Sequence, residues 1–95
     1  MKRKPMNDRI EILNYDPCDK NSLVGKFDLI MKKWGVTIRG MCHFRKEDGK
    51  EWVGLPTFWK DADGVGKYIP TIEFLEKSHE VEFKRLVLEE LKRAI

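Results

Sequence analysis

Between residues 25 and 74, apolar and polar positions alternate in short runs separated by turns containing Gly and Asp. A period of two sends successive side chains to opposite faces of a strand, so this pattern predicts an antiparallel sheet. Residues 9–14 alternate as a first strand, and residues 15–22, polar and holding Pro17, read as a turn. Residues 26–32 place Phe27, Leu29 and Met31 on one face, and Trp34-Gly35 marks a tight turn. Over residues 36–44 strict alternation assigns Val36, Ile38, Cys42 and Phe44 to the core. The same alternation assigns Thr37, Arg39, Met41, His43 and Arg45 to the open face.

Residues 46–50 form a hairpin loop around Asp48-Gly49, and residues 51–55 return with Val53 and Leu55 inward and Trp52 outward. Pro56 ends that strand, because it has no N–H to donate. Residues 57–66, with Phe58, Trp59, Asp61, Asp63, Gly64 and Gly66, read as a long flexible hairpin loop bearing two large rings. A last strand over residues 67–74 is interrupted by Pro70, which suits a sheet edge. The period then changes to that of a helix. Ser78 is placed to cap it, Glu80 and Glu82 lie near its start, and Lys92 and Arg93 lie near its end. Phe83, Val87, Leu91 and Ala94 form its apolar stripe, widened by Leu86, Leu88 and Ile95. The predicted class is α+β: a four- to five-stranded antiparallel sheet followed by one C-terminal helix.

At 95 residues the chain is one domain, near the size at which dimerisation often supplies part of the buried surface, and a homodimer is expected. Residues 1–8 read as a flexible basic tail and residues 9–95 as the α+β domain. No apolar run approaches the roughly 20 residues that would span a bilayer. Cys18 and Cys42 share no CxxC spacing, which argues for reduced thiols and a cytoplasmic location.

Net charge is +3, and its distribution says more than its size. Residues 31–60 hold seven bases against three acids, whereas residues 71–95 hold five against six, so the basic excess lies on the strands. His43 and His79 are the only histidines, and neither joins a nucleophile motif. Cys42 and His43 are adjacent and would face opposite sides of a strand. With no acid–base set, no metal spacing and no cofactor motif, the chain reads as a non-enzymatic binding protein without metal or cofactor.

Basic and aromatic residues share the predicted open positions: Lys32, Lys33, Trp34, Arg39, His43, Arg45, Trp52, Trp59, Lys60, Lys67 and Tyr68. Cations meet phosphates and flat rings stack bases, so the set points to nucleic acid, single-stranded DNA first, with RNA and duplex DNA as alternatives. Lys33, Arg39, His43, Arg45, Trp52, Trp59, Lys60 and Lys67 are the candidate contacts. The competing reading is a protein-interaction or regulatory module, such as one of phage type, that docks through the aromatic loop at residues 57–66.

The run from residue 25 to residue 74 resembles the SpoVG family of septation regulators. The shared marks are Val36, Ile38 and Arg39, then Trp52-Val53-Gly54-Leu55-Pro56, Asp63-Gly64, and the strand from Tyr68 to Ile72 before a closing helix. The resemblance implies a small dimeric DNA- or RNA-binding protein whose closing helix contributes to the dimer. It also implies DNA contacts at the entry to the helix, Lys77-Ser78-His79 here. This chain differs from the family pattern in carrying Glu76 and Glu80 beside that segment, and Phe58 and Trp59 where small polar residues are usual. The order of strands then helix is also similar to single-stranded-DNA-binding coactivators of the positive-cofactor-four type.

Overall fold

A computed structural model describes residues 10–94 of the chain. The predicted basic tail at residues 1–8 lies outside the described residues. Four strands, β1 (Ile10–Lys20), β2 (Leu23–Met31), β3 (Val36–Arg45) and β4 (Glu51–Gly54), form an antiparallel sheet in the order β1-β2-β3-β4. Two further strands, β5 (Thr57–Ala62) and β6 (Val65–Pro70), pair only with each other, and one helix, α1 (Lys77–Ala94), closes the chain. The α+β class with a C-terminal helix is the architecture observed. Among the described residues no helix is long and apolar enough to cross a membrane.

Helix α1 lies against one face of the four-stranded sheet and touches both of its edges, β1 and β4. Phe83, Val87 and Leu91, spaced at one turn, are buried against Ile10, Phe27, Leu29, Met41 and Val53. These three members of the apolar stripe are therefore covered by the helix's own sheet, with Leu86 and Leu88 half-buried beside them, whereas Ala94 is exposed and Ile95 lies outside the described residues. The Glu76 carbonyl receives the N–H groups of His79 and Glu80 at 3.2 Å, so the helix starts one residue before the expected cap and Ser78 sits inside the first turn.

Of the four register shifts in the sheet, two set the faces of its central part. In β3, Ile38 pairs with Leu29 but Met41 pairs with Phe27, so β3 has one residue more than β2 over this stretch. Gly40 absorbs it at φ +84°, in the left-handed region that a side chain rarely adopts. The extra residue reverses the alternation beyond Gly40. Met41 and His43 point into the core, and Cys42 and Phe44 point to the opposite face, contrary to the uniform alternation expected from the sequence. In β1, Leu13 pairs with Asp28 and Asp16 with Lys26, which leaves a matching bulge at Asn14, φ 54°. This bulge lets β1 continue through the segment that reads as a turn, and Pro17 is accommodated because β1 is an edge strand.

The predicted flexible loop at residues 57–66 is instead a hairpin, β5 and β6 joined across Asp63-Gly64. Pro56 lies beside the Gly40 bulge, and the Thr71 N–H donates to the Pro56 carbonyl at 2.8 Å, which closes the base of the hairpin. No other element among the described residues packs substantially on this arm, and the molecule measures 59 × 33 × 25 Å. Its radius of gyration, 14.7 Å, exceeds the about 12 Å expected of a compact chain of this length, as a projecting arm requires.

Candidate nucleic-acid interface

The candidate residues fall into three places: the sheet, the turn between β2 and β3, and the arm. His43 leaves the set, because it is fully buried. Its Nε2 lies 2.7 Å from Glu51 Oε1 and its Nδ1 lies 2.8 Å from the Tyr15 hydroxyl. A carboxylate only accepts, so Nε2 carries a proton and donates to Glu51; in the neutral ring Nδ1 then accepts from Tyr15. Gly25 makes this possible. A Cβ there would lie 2.3 Å from the Tyr15 ring, which crosses over Gly25 to reach His43. The hydrogen bond from His43 holds the Glu51 carboxyl below its usual range, with Arg45 and Lys92 adding to the effect, while burial raises the Tyr15 phenol. The sequence shows a histidine on a strand; only the bulge shows that it faces inward.

On the sheet, Arg39 and Arg45 each have an acidic neighbour. Arg39 Nη1 lies 3.6 Å from Asp28 Oδ2, and Arg45 Nη2 lies 3.4 Å from Glu51 Oε1. Trp52 stacks on Phe44, with ring centroids 5.2 Å apart at 11°, and Lys46 Nζ lies 5.7 Å from its ring. This half-buried pair is engaged within the fold. Burial raises the thiol of Cys42 nearby, and both Cys42 and Cys18 are free. Among the described residues no cluster of three potential metal ligands occurs.

The turn and the arm differ. Trp34 is 70% exposed beside Lys33, which has no ion-pair partner among the described residues, and Lys32 has only a loose one, Glu11 at 3.9 Å. On the arm, Trp59 and Tyr68 are directly opposed across the strands, and so are Lys60 and Lys67. Because neighbouring pairs alternate, the rings share one face of the ribbon and the two lysines share the other with Phe58 and Ile69. The rings meet edge-on, centroids 5.0 Å apart, and remain 57% and 70% exposed.

Trp59 is held in place by a feature that alternation alone does not reveal. Its ring lies over Gly66, where a Cβ would come within 1.8 Å of Cζ2. The position was legible in principle, since a turn at Asp63-Gly64 sets Gly66 diagonally across from Trp59. Neither Lys60 nor Lys67 forms an ion pair among the described residues, and like charges directly opposite on a ribbon repel.

No family model matches this chain, and no curated protein or solved structure matches it significantly.

Proposed function

We propose that this protein binds nucleic acid without catalysis, single-stranded DNA in preference, and that the β5–β6 arm and the Lys33–Trp34 turn carry the contacts. The observation that carries this reading is the opposed, unneutralised Lys60–Lys67 pair on a ribbon whose other face exposes Trp59 and Tyr68. A phosphate between the two ammonium groups relieves their repulsion, and an exposed ring held in place stacks a base with little further loss of freedom. Stacking of this kind contributes about 1–3 kcal/mol per base. Arg39, Arg45 and Trp52, already engaged by Asp28, Glu51 and Phe44, are secondary contacts in this reading.

Fluorescence anisotropy against labelled single-stranded DNA, duplex DNA and RNA, at low and moderate salt, tests it. The expected result is salt-sensitive binding, strongest for the single strand, that weakens in a Lys60→Ala, Lys67→Ala variant. Absence of binding to all three at low salt rejects it.

A further inference from the structure

The arm that supplies those contacts has two open backbone edges, and the main sheet has a third. Strand β4 pairs with β3 only from Cys42 to Arg45, because the chain leaves the sheet at Pro56. The other half of β3, from Val36 to Arg39, carries no strand on that side among the described residues, and Val36 is 46% exposed. Open edges of this kind are templates for pairing with another chain. The arm is also a two-stranded ribbon with no described element packed along it, which is marginal in water alone.

We propose that the arm of one copy of this chain adds to the open Val36–Arg39 edge of a second copy, reciprocally, so that two exchanged arms hold a two-fold dimer. Charge complementarity selects a second copy as the occupant. The arm carries Asp61 and Asp63 at its tip, with no ion-pair partner among the described residues, and the open edge begins at the turn bearing Lys32 and Lys33. Tip on turn places two acids against two bases at each of the two equivalent contacts. Length also fits: the open stretch of four residues spans about 13 Å and a six-residue arm strand about 20 Å. Strand β5 contains no proline and can pair along its whole length.

An exchanged contact of this kind is isologous and closes on itself, so assembly stops at the dimer. Edge pairing leaves both faces of each arm open and places the two arms on one assembly. This dimer does not depend on nucleic-acid binding, since it rests on backbone edges and on Asp61 and Asp63, which take no part in the contacts to phosphate or base; Lys33 is shared by the two readings, so the Asp61→Lys, Asp63→Lys variant reads the dimer separately. It also differs from the helix-mediated dimer implied by the resemblance, because Phe83, Val87 and Leu91 are buried against their own sheet.

Sedimentation velocity on the full chain tests it, with two charge-reversed variants: Asp61→Lys with Asp63→Lys, and Lys32→Glu with Lys33→Glu. Wild type is expected to sediment as a dimer and each variant alone as a monomer with an unchanged circular dichroism spectrum. Mixing the two variants restores a dimer, because each arm tip then meets a turn of opposite charge. A monomeric wild type at every concentration overturns the proposal. So does a dimer that survives both reversals, or a mixture that stays monomeric.

Discussion

Asp28 accepts the Gly40 N–H on Oδ1 at 3.1 Å, and so ties the bulge of β3 to the strand beside it. Its other oxygen accepts the Asn14 side-chain amide at 3.0 Å, which ties the opposite bulge of β1 to the same carboxylate. One acid on the second strand thus holds both irregularities that decide which residues face α1. Hydrogen bonds to a charged group contribute about 1.5–3 kcal/mol, so Asp28→Ala should destabilise the fold by about 2–3 kcal/mol, measured by urea unfolding. A loss below the error of that measurement would show that the bulges hold without it.

The same carboxylate gives the fold an acid limb. The Asn14 and Gly40 bonds lower the Asp28 pKa from its ordinary value of 3.8, and the His43 bond lowers that of Glu51 from 4.5. A depressed folded-state value means a stabilising contribution that is complete above the ordinary value and is lost as pH falls through the depressed one. Stability should be level above about pH 5 and decline below it, and Asp28→Asn should flatten that decline. Tyr15 acts at the other end: its raised value means stability complete below its ordinary 10.0 and lost as pH rises through the folded value. Denaturant midpoints across pH check both limbs.

His43→Leu removes the one side chain that satisfies both Tyr15 and Glu51 inside the sheet. Each of these half-buried groups loses its shortest hydrogen bond, while Tyr15 keeps the Val24 carbonyl at 3.4 Å and Glu51 keeps Arg45 at 3.4 Å, so the cost is that of two net hydrogen bonds, about 1–3 kcal/mol together. The substitution should lower stability more than His79→Leu, which lies exposed in the first turn of α1. Equal effects would place the weight of the fold elsewhere.

Gly66→Ala separates the arm from the body. The new methyl collides with the Trp59 ring, so the ring must lift from the ribbon. The expected outcome is a changed tryptophan emission spectrum and weaker single-strand binding, with a thermal midpoint close to wild type because little of the body touches the arm. A large fall in that midpoint would mean that the arm supports the core.

Much of this architecture was legible along the chain. The strands β2, β3 and β4 follow from alternation, the β3–β4 hairpin follows from Asp48-Gly49, and the core face of the helix follows from Phe83, Val87 and Leu91. What alternation could not reveal was the extra residue at Gly40. A glycine within an alternating run reads equally as a plain strand position or as a bulge, and only the register against Phe27 and Leu29 decides. That one residue moves His43 from the candidate surface to the interior. The arm differs from the expected loop for a related reason, since Asp, Gly and Pro mark both loops and short ribbons, and cross-strand pairing of Trp59 with Tyr68 distinguishes them.

The most direct measurement compares the salt dependence of single-stranded DNA binding by wild type and by the Lys60→Ala, Lys67→Ala variant, using fluorescence anisotropy. If the two ammonium groups hold one phosphate between them, the logarithmic salt slope should fall by about 0.7 in the variant, the value for one phosphate neutralised on a single strand. An unchanged slope and affinity would contradict binding through the arm.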